Sequence, residues 1–245
     1  MKNEGAWQPS KFRHDAGRID VGPSEAGGSW LITRLVADAY QRHLPEHARG
    51  RLLDLGCGAV PLYAAYEPLV SEVTCVDWSG SPAKAQHLDV AHDLNEPLPL
   101  DDARYDTVIL SDVLEHIRKP EPLLAEVARV LAPSGKLLLN VPFYYWLHEQ
   151  PYDFFRYSEH ALRSFVEQAG LRLLLLEALG GAPEVLADVL GKHFAQVPRV
   201  GKLAAKALQR ATFGLAQLQP VRRALEPSNR RFPMGYFLVA EKPSG

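Results

Sequence analysis

The most constraining feature of the chain is an apolar stretch that runs straight into two glycines, Leu52-Leu53-Asp54-Leu55-Gly56-Cys57-Gly58. Glycine has no Cβ, so the backbone at such a point can turn sharply and approach a bound molecule closely. About twenty residues on, a second apolar stretch ends at Asp77, the placement at which a carboxylate accepts both hydroxyls of a ribose. A lone Gly-x-Gly is often only a strand-to-helix turn. Asp54, Asp77 and the alternation of the surrounding chain favour a ligand loop here.

That alternation is regular. Gly28–His43 carries Leu31, Leu35, Val36 and Ala39 at helical spacing. Strand-like runs follow at Arg51–Leu55, Glu72–Asp77, Tyr105–Ser111, Lys136–Val141, Leu171–Leu179 and Gly235–Glu241. Between them Pro61–Glu67, Glu121–Leu131 and Ser158–Gly170 read as helices, and Pro133-Ser134-Gly135 reads as a helix stop with a turn. The pattern predicts an α/β fold, a parallel sheet with helices on both faces joined by right-handed crossovers, with the last strand closing it. Residues 1–26, polar and rich in glycine, read as an irregular arm.

Composition sets the class. Of 245 residues 47% are hydrophobic and 23% charged, enough apolar material for a core and too much for wholesale disorder. Cys57 and Cys75 are too few for a disulfide framework and read as reduced core residues. No signal-peptide core and no membrane-length apolar run is present, so a cytoplasmic location is expected. The net charge of −2 does not favour a nucleic-acid partner.

The glycine loop also discriminates between ligands. In Gly56-Cys57-Gly58-Ala59-Val60-Pro61 the third glycine of a dinucleotide fingerprint is replaced by proline. Asp54 would repel a pyrophosphate and attract a cationic amine. An adenosine carrying an amino acid fits better than NAD.

These residues resemble those of the class I S-adenosylmethionine (SAM)-dependent methyltransferases. Asp54-Leu55-Gly56-Cys57-Gly58 and Val76-Asp77 are similar to that family's first motif and acidic loop. Asp93-Leu94, the run Tyr105-Asp106 through Glu115-His116, and Leu131-Ala132-Pro133-Ser134-Gly135-Lys136-Leu137 are similar to its later motifs, in the same order. The resemblance implies a Rossmann-like, seven-stranded, mostly parallel sheet, with SAM as donor and S-adenosylhomocysteine as product. It implies that Gly56 and Gly58 pass the methionine portion, Asp54 orients its amine, and Asp77 binds the ribose. Asp93 and the Leu94 backbone would read adenine, and Ser111 would border the sulfonium. Trp78 reads as an adenine contact or as a core aromatic.

The acceptor side is written in one segment, Pro142-Phe143-Tyr144-Tyr145-Trp146-Leu147-His148-Glu149-Gln150-Pro151-Tyr152-Asp153-Phe154-Phe155-Arg156-Tyr157. Aromatic faces and polar groups suit a sugar or other ring-bearing acceptor, with Tyr144, Tyr145, Tyr152 and Arg156 as binding candidates. His148, whose unperturbed pKa lies near ~6.5, is the first candidate for general base, with Asp153 beside it and His116 as the alternative. The plainer reading is a packed loop in which Asp153 and Arg156 form a structural ion pair. Asp112, Glu115 and His116 resemble the Glu-x-x-Glu-His metal site of ubiquinone-biosynthesis O-methyltransferases, with Asp112 in the first position. A divalent metal is not the favoured reading, because relatives carry Leu-Glu-His here without one.

One segment breaks the charge balance. Gly191–Arg231 holds nine Lys or Arg and only Glu226 among acids, +8 by count, which leaves −10 for the rest. Val200, Ala204, Ala207, Leu208, Ala211, Leu215 and Leu218 share one helical face, opposite Lys202, Lys206 and Arg210. The segment reads as a helix covering the sheet with a solvated basic face, or as a contact for an anionic membrane surface or lipid-linked glycan. The second of these would make the protein peripheral at the inner membrane.

The expected organisation is therefore an N-terminal arm and helix (1–50), a SAM-binding core (51–180), a helical basic lid or surface-binding segment (181–232), and a final strand with its tail (233–245). The aromatic segment looks like that of methyltransferases found with bacterial surface-polysaccharide enzymes, so the expected acceptor is a sugar hydroxyl of a glycan or lipid-linked saccharide. Methylation of a free small molecule, such as a natural product or quinone precursor, is the rival within the enzyme class. A non-catalytic SAM-binding subunit is the rival outside it.

Overall fold

The structure, a computed structural model, describes residues 1–23, 28–80 and 86–244. After a 3-10 turn at Glu4–Ala6 the chain forms an antiparallel hairpin, β1 (Phe12–Asp15) and β2 (Arg18–Val21). Ala16 and Gly17 both take left-handed φ values, 47° and 78°, the tight connection whose twist matches a hairpin. The expected irregular arm is thus an ordered hairpin, and only its stretch at 24–26 lies outside the described residues. Its strands are too short to announce themselves by alternation. Phe12 and Ile19 anchor it by burial against the core.

The helix α1 (Trp30–His47) buries Leu31, Val36, Ala37, Tyr40 and Leu44 on the sheet. Beyond it come β3 (Arg51–Leu55), the short α2 (Tyr63–Tyr66), β4 (Glu72–Asp77), β5 (Val90–Ala91) and β6 (Tyr105–Ser111). The chain continues through α3 (Pro120–Val130), β7 (Leu131–Pro142), α4 (Glu159–Gln168), β8 (Arg172–Leu179), α5 (Ala182–Ala195), α6 (Gly201–Ala216), α7 (Gln219–Arg231) and β9 (Gly235–Glu241). The seven-stranded sheet has the order β5-β4-β3-β6-β7-β9-β8. The pairs from β5 to β7 are parallel, and β9 runs antiparallel to both its neighbours. The last strand therefore does not close an edge; it is inserted between β7 and β8.

Alternate residues of each strand feed the two faces, as the pleat requires. Leu53, Leu55, Val108, Leu110, Leu137 and Leu139 pack with Leu123, Val127 and Leu162 of α3 and α4. Leu52, Ile109, Leu138, Phe237 and Val239 pack on the other face with α1 and the hairpin. Burial on both sides explains the near-continuous apolar strands. Cys57 and Cys75 are both free thiols buried in the core.

Two local expectations change. Pro133-Ser134-Gly135 does not interrupt the strand but forms a bulge inside β7, where Leu131 pairs with Tyr105 and Lys136 already pairs with Thr107. Ser134 N–H donates to the Lys242 carbonyl at 2.9 Å, so the chain after β9 closes over this irregularity. In α6 the inward side is formed by Gly201, Ala205, Leu208 and Gln209; of the expected apolar face only Leu208 packs on the core, while Ala204, Ala207, Ala211 and Leu215, and Val200 and Leu218 just beyond the helix ends, are exposed. The reason is close helix packing. A Cβ on Gly191 of α5 would lie 2.6 Å from Gln209 Nε2, which donates to the Gly28 carbonyl at 2.9 Å.

Candidate active site

Strand order reverses between β3 and β6, and open α/β sheets bind ligands in the crevice at such a point. Both flanking chains turn sharply there. Gly56 has φ 69°, and a Cβ on it would lie 2.4 Å from the Val113 side chain, so only glycine fits. Gly58 N–H donates to Asp77 Oδ2 at 2.9 Å and Trp78 N–H to Oδ1 at 2.8 Å. Each carboxylate oxygen is thereby fixed by one backbone donor and keeps a further lone pair for a ligand diol.

A cavity of 590 Å³ opens beside this loop. Gly56, Gly58, Asp77, Trp78, Asp93 and Leu94 line one part of it, so six of the expected cofactor residues are brought together. Trp78 is 38% exposed and meets Tyr152 edge-on at 5.3 Å, which makes it a wall of the cavity and not a core aromatic. Asp93 Oδ1 accepts from the Asn95 backbone N–H at 2.9 Å and from its side-chain amide at 2.8 Å. Those bonds hold its carboxyl below the usual range despite partial burial.

Asp54 is buried behind the glycines. Burial pushes its carboxyl up to about 7, against the hydrogen bond donated by Tyr66 Oη at 2.9 Å. A cationic amine nearby would favour its ionised form. Ser111 does not line the cavity; the next residue, Asp112, does. Asp112 has φ 52°, accepts from Asn140 Nδ2 at 2.7 Å and pairs with Lys11, from the segment that leads into β1. Nothing in the local sequence signals that Lys11 reaches the site. Only the hairpin brings it there.

The acceptor side departs further from expectation. His116, Glu149, Gln150, Tyr152 and Phe154 line the cavity, but His148, Asp153, Tyr144, Tyr145 and Arg156 do not. His148 is half-buried behind His116, with ring centres 4.8 Å apart. Its two nitrogens face carboxylates, Nδ1 to Asp153 at 3.3 Å and Nε2 to Glu115 at 3.6 Å. Burial opposes the imidazolium, but Glu115 and Asp153 outweigh it and the His148 pKa is raised. Glu115 is itself fully buried, and desolvation pushes its pKa up.

His116, the alternative base candidate, does line the cavity, and its Nε2 lies 3.8 Å from carboxylate oxygens of both Glu115 and Glu149. Its Nδ1 lies 2.7 Å from the Tyr152 carbonyl oxygen. A carbonyl can only accept, so Nδ1 carries the hydrogen and the neutral ring keeps its lone pair on Nε2. Asp153 is a structural carboxylate: it accepts two bonds from Arg156, at 2.5 and 2.8 Å, and one from the His148 backbone at 2.9 Å. Its pKa falls to about 2, since these bonds overcome burial. Arg156 also donates to the Trp146 and Phe155 carbonyls, so its guanidinium ties the loop together. Tyr145 Oη is hydrogen-bonded to Ser29 Oγ at 2.7 Å, and Tyr144 packs on Phe143 and Phe232.

The trio that resembles a metal site, Asp112, Glu115 and His116, is rearranged as well. Asp112 is neutralised by Lys11, while donor atoms of Glu115, His116 and His148 lie within 4.8 Å of one another. Both Glu115 oxygens are buried without a hydrogen bond. An orphaned carboxylate beside two imidazoles suits a divalent cation chemically.

Comparison with known proteins agrees with this architecture. Residues 30–178 match the family described as "Methyltransferase domain". The chain belongs to that family: residues 30–178, more than half of its length, form a methyltransferase domain. Among curated relatives, the ubiquinone biosynthesis O-methyltransferase of Xanthomonas euvesicatoria is 30% identical over 108 residues, 39% of this chain and 44% of that protein. The same-named enzyme of Maricaulis maris is 30% identical over 98 residues, 36% and 39% of the two chains. The chain thus spans less than half the length of these relatives. The [4+2]-cyclase SpnF shares the fold with a TM-score of 0.55 at 19% identity, over 97% of this chain and 87% of that one. A SAM-dependent methyltransferase from Archaeoglobus fulgidus has a TM-score of 0.54 at 18% identity, over 86% and 93%.

Proposed function

We propose that the protein transfers a methyl group from SAM to a hydroxyl of a small ring-bearing acceptor, with His116 as general base. SAM supplies a sulfonium whose methyl group is electrophilic. Asp77 would hold the ribose diol, Trp78, Asp93 and the Leu94 backbone the adenine, and the Gly56–Gly58 loop the methionine portion, with Asp54 answering its ammonium. The observation that carries the chemistry is the 2.7 Å contact of His116 Nδ1 with the Tyr152 carbonyl, which leaves Nε2 of the neutral ring to take a proton in the wall of the same cavity as the glycine loop. His148, Glu115 and Asp153 act behind it, setting its position and field. General-base assistance of this kind contributes about 10²–10⁴-fold.

Trp78, Tyr152 and Phe154 give the cavity aromatic walls that suit a planar ring. Together with the partial similarity to ubiquinone-biosynthesis O-methyltransferases, they favour a phenol or catechol-type acceptor over the glycan hydroxyl expected from sequence. The test is methyl transfer from labelled SAM to a panel of phenols, catechols and deoxysugars. Turnover of phenols that falls at least a hundredfold in His116→Gln, with SAM affinity kept, supports the reading. Undiminished turnover in that variant, or a preference for amines, rules out the base.

The orphaned Glu115 oxygens favour a second reading, in which Glu115, His116 and His148 hold a divalent cation. Such a cation would supply Lewis-acid acidification of an acceptor hydroxyl. Chelation separates the two readings. Activity that survives chelator leaves His116 as base, and activity restored only by Mg²⁺, Mn²⁺ or Zn²⁺ assigns it as a ligand.

A further inference from the structure

The outward side of α5 and α6 carries apolar side chains where a surface helix normally carries charge. Leu186, Val189, Leu190 and Phe194 recur three and four residues apart and form one stripe along α5, with Leu186 63% exposed. Val200, just before α6, and Leu203 and Leu215 within it are exposed as well, Leu203 at 72%. The inner sides of both helices are already packed, through Gly191, Ala205 and Gln209. No core volume remains for the outer groups. Large apolar side chains exposed in this number on two neighbouring helices mark a contact with something outside the chain.

Charge says what that is. The exposed apolar residues of α6 are accompanied by the exposed Lys202, Lys206 and Arg210, and the helix carries no acidic residue. Two copies meeting through this face would oppose like charges. A bilayer with anionic headgroups meets both demands, phosphate for the cations and hydrocarbon for the leucines. A second feature points the same way. A recess of 680 Å³ between the hairpin and α6 is lined by Arg13, Trp30, Lys206 and Arg210, with Arg210 5.6 Å above the Trp30 ring. Asp20 in its wall is paired with Arg34 and Arg13, so the recess is cationic on balance.

We propose that the α5–α6 surface docks on an anionic membrane, with Leu186, Leu190, Phe194 and Leu203 below the headgroups and a lipid phosphate in the Arg13–Lys206–Arg210 recess. The docking is independent of the methyl-transfer assignment, because none of these residues lines the cavity beside the glycine loop.

The experiment is co-sedimentation of the full chain with phosphatidylcholine vesicles and with vesicles containing phosphatidylglycerol, at low and high salt. The protein is expected to pellet with the anionic vesicles only, and to be released by salt. A cation near the surface is worth about fivefold in partition, so Lys206→Ser with Arg210→Ser should weaken it roughly thirtyfold. Leu186→Ser with Leu203→Ser should weaken it too, and both double variants should bind SAM as the parent does, which shows them folded. The proposal is overturned by equal binding to neutral vesicles, by absence of binding to anionic ones, or by insensitivity to both variants. A dimer that protects these same helices from hydrogen exchange would also overturn it.

Discussion

At the scale of single residues, Asp54 makes the sharpest claim. Its carboxyl is pushed up to about 7 by burial, well above the ~3.9 of an exposed aspartate. The sign for stability follows: the folded state holds the proton more tightly, so this group contributes stability at low pH that is lost as pH rises through about 7. Ligand binding has the opposite sign. If the SAM ammonium prefers ionised Asp54, binding below pH 7 must also expel a proton, so affinity rises with pH and levels off above that range. Calorimetric titration between pH 6 and 8 should show up to about a tenfold gain per unit, and Asp54→Asn should flatten it. A parent protein whose SAM affinity is constant over that range would remove the amine from Asp54. The proton on His116 makes a parallel point. Sequence alone named both histidines and ranked His148 first, because a histidine in an aromatic loop looks like a base. Which nitrogen faces a carbonyl and which faces a carboxylate is decided by the fold.

At the scale of elements, the segment after β7 behaves as one braced loop. Asp153 holds Arg156 by two bonds and the His148 backbone by a third, and Arg156 returns two bonds to carbonyls. Removing the carboxylate strands a half-buried guanidinium and frees both ends of the brace. Asp153→Ala should cost about 2–4 kcal/mol, below the full range for buried pairs because Arg156 keeps partial solvent contact. A thermal melt checks this, and unchanged stability would mean that the brace does not matter. Elements also show what sequence could see. β3, β4 and β6 were legible to the residue because apolar runs buried on both faces leave continuous signals, and Gly56, Gly58, Asp77 and Asp93 sit at or just beyond strand ends. The hairpin was not legible, since four-residue strands carry too few positions for a period. Nor was the outward turn of α6. Periodicity reports that a helix has an apolar face, and the partner helix decides whether that face is the one covered.

At the scale of the whole molecule, the candidate site includes a contact between the segment leading into the N-terminal hairpin and the residue just after β6. Lys11 reaches Asp112 across the crevice, so the cavity wall carries a neutralised pair where it would otherwise carry a bare carboxylate. SAM bears a sulfonium charge, and S-adenosylhomocysteine does not. Withdrawing the Lys11 cation leaves the wall more negative, which favours the charged donor over the neutral product. Partly screened charges a few ångströms apart interact by about 1–3 kcal/mol, and solvent access at the mouth reduces that. Lys11→Met should therefore raise the ratio of SAM to S-adenosylhomocysteine affinity by roughly fivefold. It should also lower thermal stability, because the Asp112 carboxylate loses its charge partner and is left with the bond from Asn140 Nδ2. Competition binding of the two ligands reads the ratio directly, and raised salt should shrink the difference. A ratio unchanged in Lys11→Met would place the pair too far from the sulfur to influence it. The hairpin would then be a packing element alone.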